Sequence, residues 1–352
     1  MKNKALKITL IVLISLLIFV LLLLATLKVG ERLLFKSFFS NVETEFKVPG
    51  ISDGFVQQGF DYYSGDPETE EDDRFLVSGY MKAKENEKIS SRIYVLDKDG
   101  KALSHTKLQD EKGQIYTGHA GGIASNGQYL YVTNDDNDEN SINVFPLEAI
   151  LEGKENVKML GSVYVYLKPA FCYIHNGVLY TGNFHKDDHE KYQSPEMFIM
   201  GEKNTAIMLS FELDSQNADN FGVRNTPSEA YSITSQAQGM CIADDKLVLS
   251  TSWSINPSYL YVYDLKKISE RGTIPTPIFM DKEKYGDRAM NKPIQLHIIT
   301  DEDLIKEIKA PPMAEELVYK DGKVLIMNES ASKKYIFGRF TSGNNIYGYI
   351  ID

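Results

Sequence analysis

Two cysteines, one tryptophan and six histidines are all that 352 residues contain of these types, and each scarcity excludes something. Cys172 and Cys241 cannot build a disulfide-dense scaffold, nor the paired Cys-x-x-Cys of a zinc ribbon. No Gly-x-Ser-x-Gly elbow, Ser-His-Asp order or dinucleotide fingerprint is present. The segment 118–122 (GHAGG) is rich in glycine, but it opens a strand. It therefore lacks the helix N-terminus on which a phosphate would rest. Basic residues are also short, at 38 Lys and Arg against 49 Asp and Glu. Four of the bases and none of the acids precede residue 29. The remainder is thus strongly acidic, which argues against nucleic acid as a partner and against anionic lipid away from the N-terminus.

Long apolar runs are missing as well, with one exception. Residues 8–27 carry no charge and follow Lys2, Lys4 and Lys7. As a helix rising about 1.5 Å per residue, twenty residues span about 30 Å, the thickness of a bilayer core. The competing reading is a cleaved signal peptide, whose apolar stretch is usually about 7–15 residues. This run is longer and is followed by no convincing small-x-small cleavage site, so an uncleaved anchor is expected. Lys28, Arg32 and Lys36 on the far side nearly balance the leading lysines. The very short leading tail favours an N-inside orientation at the cell membrane, single-pass, with the bulk of the chain extracellular. The expected division is a cytoplasmic tail at 1–7, an anchor at 8–27, a stalk at 28–45 and one β-rich domain at 46–352.

That domain repeats. Residues 121–134 (GGIASNGQYLYVTN), 170–183, 239–252 and 316–329 align without gaps. Each has an apolar triplet at its ninth to eleventh places: YLY, VLY, LVL and VLI. A fifth copy, 59–80, is lengthened by the acidic run DPETEEDD at 66–73. Each copy reads as strand, tight turn, strand. Third strands are expected at 91–97, 141–147, 206–213, 259–265 and 334–340. Fourth strands are expected at 103–108, 162–167, 230–235 and 295–300. For the last unit, either 346–351 or the N-terminal 44–48 supplies the missing strand and removes the exposed edges. Hairpin units recurring at uneven intervals predict an all-β propeller of five blades, or six if 266–312 hides a degenerate one. Cys172 and Cys241 fall at equivalent places on successive inner strands, which predicts two separate buried thiols.

The phrases QGFDYY, HAGGIASNGQYLYVTND, QGMCIADDKLVLSTS and MAEELVYKDGKVLIMNES resemble the inner hairpins of bacterial propellers of the lactonase, strictosidine-synthase-like and NHL-like group. The resemblance covers most of residues 55–340. It implies a propeller fold; the group itself contains metal-dependent lactone hydrolases, sugar-processing enzymes and binding modules.

In such a ring the loops entering the first strand and leaving the second meet at one channel mouth. The register therefore nominates Gln58, His119, Lys168, Gln238 and Glu315 before the inner strands. It nominates Tyr80, Asn134, Asn183, Ser252 and Glu329 after the second, with Asp135, His185, Trp253 and Asn328 beside them. Gln58, Tyr80, Gln238, Trp253, Asp135 and His185 are the candidate ligand-binding set, Trp253 as a stacking platform. Asn134, Asn183, Glu316 and Glu329 would make an oxygen-rich site for a divalent cation, calcium first, with His119 as acid or base. His185 and His189, with Asp187 or Asp188, would share one face of a helical turn as transition-metal ligands. Residues 136–140 have the Asp-x-Asp-x-Asn spacing of a calcium loop, without its sixth-place glycine or twelfth-place glutamate. Two functions follow: a membrane-anchored recognition or scaffold module for a carbohydrate, envelope component or protein, or a metal-assisted hydrolase or lyase acting on a lactone or sugar.

Overall fold

The computed structural model describes residues 2–65, 69–84, 87–134, 140–193, 204–335, 338, 341 and 343–351. Five sheets are arranged as the blades of a propeller. The first strand of each blade touches the first strands of its two neighbours around the axis.

Blade I runs outward through Phe55–Tyr63, Arg74–Met81, Arg92–Leu96 and Ala102–Gln109, with Asn156–Lys158 added in parallel at its edge. Blade II uses Ile123–Ser125, Tyr129–Thr133, Ser141–Pro146 and Gly161–Tyr164. Blade III uses Pro169–His175, Val178–Asn183, Ala206–Glu212 and Glu229–Ile233. Blade IV uses Ala237–Ala243, Lys246–Thr251, Ser258–Asp264 and Leu304–Ala310. Blade V uses Ala314–Lys320, Lys323–Asn328 and Asn345–Ile350, closed on the outside by Val42–Lys47 from the other end of the chain.

Burial explains the strand sequences. Second strands are sandwiched between neighbouring blades, so Lys246–Thr251 (KLVLST) is buried at every position after the first. Outermost strands meet solvent, and Ala102–Gln109 alternates accordingly towards its end. Inner hairpins turn at Asn176-Gly177 and Asp321-Gly322, both pairs in the left-handed region. That conformation matches the twist of the flanking strands.

Four expectations need correction. The third strand of blade V is Asn345–Ile350, which pairs with Lys323–Asn328; most of 334–340, expected in that place, lies outside the described residues. The fourth strand of blade IV is Leu304–Ala310. Ile294–Ile298, expected in that place, instead pairs in parallel with Glu229–Ile233 of blade III and carries Thr273–Thr276 on its far side. Residues 266–312 therefore extend existing blades and form no sixth. Finally, residues 42–45, assigned to the stalk, already belong to the closing strand.

Upstream lies a helix from Lys2 to Leu34. Its stretch Leu6–Leu34 contains an 18-residue window of mean hydropathy 3.3 and is long and apolar enough to cross a membrane. A second turn, Lys36–Phe39, docks it to the propeller. Phe35 and Phe38 are buried in the core between blades IV and V, and Phe38 meets Tyr347 edge-on at 5.7 Å. Leu33 and Leu34 remain exposed. Both cysteines are buried, free thiols.

Ring closure by Val42–Lys47 makes a prediction about truncation. A chain beginning at Asn41 should melt cooperatively. One beginning at Val48 exposes the edge of Asn345–Ile350 and should melt at a clearly lower temperature with a broadened transition, measurable by calorimetry.

Candidate functional site

Every inner strand carries a bulge at the same level. The pairing skips Gln58 in blade I, Ala170 in blade III and Gln238 in blade IV, and it holds one residue too many at Glu315 and Glu316 in blade V. In blade II, Gly121 and Gly122 both bond to Thr133. A bulge frees backbone groups and re-aims a side chain. The freed carbonyls are taken up by the preceding blade's second strand. Ser78 Oγ donates to Gly121 O at 2.6 Å, Ser250 Oγ to Glu315 O at 2.5 Å and Thr133 Oγ1 to Ala170 O at 3.4 Å. The bulged side chains face one cavity of about 630 Å³, the channel mouth.

One wall is a polar relay. His119 Nε2 hydrogen-bonds Gln58 Oε1, and Gln58 Nε2 donates to Glu329 Oε2 at 2.7 Å. Because Gln58 Oε1 only accepts, this assigns the proton to His119 Nε2. Tyr335 also donates to Glu329. Burial pushes the Glu329 carboxyl up to about 7, against the lowering pull of Lys334, Gln58 and Tyr335. Lys334 Nζ in turn donates to the Tyr80 hydroxyl, and the Tyr80 ring lies 4.8 Å from His119.

The opposite wall is aromatic. Trp253 meets Tyr192 edge-on at 5.3 Å and lies 6.0 Å from Phe184. His189 packs on the outer side at 5.4 Å, and Lys186 Nζ sits 5.2 Å above the indole. Gln238 and Glu315 line the cavity between the two walls.

Below the mouth the axis is plugged. Glu316 is fully buried, and its Oε1 accepts from the Met240 amide at 3.4 Å. The amides of Cys172 and Ile123 also face the carboxyl, although Oε2 makes no hydrogen bond of good geometry. The strand pairing places Gly59, Gly122, Phe171 and Gly239 at the corresponding positions of the other blades. A Cβ on Gly239 would stand 2.6 Å from Glu316 Cα, and one on Gly122 would overlap Glu316 Oε2. Burial drives the Glu316 carboxyl well above its ordinary range, and nearby Asp61 adds to this. Asp61 accepts from Ser125 Oγ at 2.6 Å and is itself raised to about 6, chiefly by burial.

Sequence register thus brought Gln58, His119, Gln238, Trp253, Glu315 and Glu329 to one cavity, with Tyr80 against His119. Other nominations are dispersed. Asn183 is buried and its Oδ1 accepts from the Ile207 amide at 2.8 Å, so it braces its own blade. Asn134 is buried and does not line the mouth. Glu316 is ringed by N–H donors, an environment suited to a carboxyl and not to a cation beside it. Among the described residues no three His, Cys, Asp or Glu side chains converge as metal ligands do. His185 is buried, with its Nε2 2.7 Å from Asp187 Oδ1. No helical turn spans 185–189, so His185 and His189 do not share a face. Asp135 and most of the acidic run 136–140 lie outside the described residues. From Ser141 that proposed calcium loop is a strand, and its twelfth residue, Leu147, is fully buried in the core.

Phe184, Tyr192, Lys334 and Tyr335 were missed. Phe184 had a signal, since it follows Asn183 as Trp253 follows Ser252. Tyr192 sits in an insert outside the repeat, and Lys334 and Tyr335 fall at the start of residues 334–340, expected as a third strand.

No protein-family model matches the chain, and no curated protein matches its sequence. Solved structures with partial likeness include glutaminyl cyclase of Myxococcus xanthus, at 9% identity over 88% of this chain and 97% of that one, with a TM-score of 0.43. Sqt1 of Chaetomium thermophilum, bound to the N-terminus of ribosomal protein L10, is 11% identical over 81% of this chain and 64% of that one, TM-score 0.36. The designed protein Ika4 is 10% identical over 65% and 89%, TM-score 0.28. These likenesses carry no functional argument, and the fold assignment rests on the chain's own strand order.

The raised carboxyls give the fold an inverted pH response. Glu329 favours the folded state fully below about 4.5, and the benefit is lost as pH rises through about 7. Asp61 behaves likewise between about 3.8 and about 6. The melting temperature should therefore fall from pH 5 to pH 8. Glu329→Gln should flatten the upper part of that fall and leave the lower part.

Proposed function

We propose that the chain is a membrane-anchored recognition module that binds a carbohydrate of the cell envelope at the channel mouth. The observation that carries this reading is the pairing of walls. A flat, half-buried indole backed by Tyr192 and Phe184 faces the amides of Gln58 and Gln238 and the carboxylates Glu315 and Glu329. A sugar ring has just these two aspects, an apolar C–H face that stacks on an aromatic ring and hydroxyls that need fixed acceptors and donors.

The anchor fits this role. Val42–Lys47 enters blade V at the end remote from the mouth, since Val42 pairs with Tyr349 and Lys47 with Asn345. With the helix in a bilayer and the propeller on its outer side, the mouth opens away from the membrane. Glycan-array binding by the full-length protein in detergent tests the reading. Trp253→Ala should weaken binding of the best glycan at least tenfold while leaving the melting temperature within a few degrees. Equal binding by both proteins would sink it.

One observation favours a second reading, a hydrolase or lyase. Glu329 holds a proton up to about pH 7 and is linked through Gln58 to His119, which suits general acid–base work. Turnover of a lactone or glycoside that Glu329→Gln lowers a hundredfold or more, with ligand binding kept, would move the assignment there.

A further inference from the structure

A second cavity, of about 850 Å³, lies on the flank of the ring between blades II and III. Its floor is the outermost strand of blade II and its roof is the insert between the third and fourth strands of blade IV. It shares Asn140 with the mouth but none of the aromatic wall or the relay.

Three features set it apart from a surface groove. Arg288 lays its guanidinium over the Tyr164 ring at 4.0 Å. Among the described residues that guanidinium makes no hydrogen bond or ion pair, although Asp287 lines the same cleft. Ser141 is 5% exposed, lines the cavity, and its hydroxyl has no partner. Tyr166, fully enclosed, holds φ at +67°, a strained conformation for a bulky residue. It is fixed there by Asn140 Nδ2, which donates to its carbonyl at 2.9 Å, and by its own hydroxyl, which donates to Arg288 O at 2.9 Å. Phe279 and Tyr285 of the insert pack on the same ring. Tyr166 thus clamps the insert, and Arg288 with it, over the cleft.

We infer that this cleft binds a sugar residue bearing one carboxylate, the carboxylate paired with Arg288 and the hydroxyls with Ser141, Asn225 and Asn291. An unpaired, aromatic-backed guanidinium is the donor geometry that a carboxylate fills with two parallel bonds. The surrounding amides and hydroxyls offer both donors and acceptors, as a polyol requires. Asp287 and the chain's net charge of −11 oppose a polyanion.

The test uses the full-length protein in detergent, with D-glucuronate as probe and D-glucose and inorganic phosphate as comparators, read by calorimetric titration. Glucuronate should bind saturably and at least tenfold more tightly than glucose. Arg288→Gln and Asn291→Ala, both at exposed positions, should each weaken it, the former roughly tenfold or more. Trp253→Ala, which alters the mouth, should leave glucuronate affinity unchanged. This separates the cleft from the reading of the mouth, since either can fail alone. Glucose binding as tightly as glucuronate, or both variants binding within twofold of the parent, overturns the assignment. Phosphate binding as tightly as glucuronate also overturns it, in favour of a simple anion site.

Discussion

The molecule depends on how closely five strands approach one axis. At the level of the bulges there is no room for side chains from every blade, and a Cβ on Gly59 would stand 2.8 Å from the Ile123 nitrogen. Blades I, II and IV yield with Gly59, Gly122 and Gly239, blade III turns Phe171 into the core it shares with blade IV, and blade V fills the space with Glu316. That single carboxyl reaches inner strands of three other blades. It closes the channel, so the mouth above is a blind cavity with a floor. The same crowding raises bulges in every inner strand, and these turn Gln58, Gln238 and Glu315 upward. Site and core are consequences of one packing problem.

Much of this was legible in the residues. A fourteen-residue register with apolar triplets fixed the inner hairpins and the face on which their polar ends would gather, because strand periodicity and turn chemistry are local. The outer strands were harder. Residues 295–300 have the composition of a strand, and the strand Ile294–Ile298 covers most of them, but composition does not say which blade it joins. A crossover pairing in parallel with blade III is a long-range choice. The chemistry of single residues was least legible. Asn183 and Glu316 read as cation ligands by type, yet one oxygen serves the Ile207 amide and the other carboxyl is ringed by N–H groups. Polar residues at strand ends satisfy the backbone first. Trp253 was identified because it is alone; Tyr192 was not, because inserts carry no register, and Tyr335 was not, because it lay in a segment expected to be a strand.

The inserts also break the fivefold likeness of the blades. Blades III and IV furnish the aromatic wall, blades I, II and V the relay, and the long connection of blade IV roofs the flank cleft. A ring of near-equivalent hairpins has thereby become a surface with a distinct chemistry on each side. The bulges give a rigid frame, and the differences sit where chain length is tolerated at low entropic cost.

The position of the closing strand has a mechanical consequence. Val42–Lys47 is the first strand after the helix, and it lies antiparallel to Asn345–Ile350 with Val42 at the end remote from the mouth. Tension between an embedded helix and a ligand held at the mouth would pull this strand along its own length. Its hydrogen bonds would then be loaded together in shear, not peeled one at a time. Phe35 and Phe38, wedged between blades IV and V ahead of the strand, would take that load first. With the helix embedded, the strand that closes the ring would bear traction along its own length.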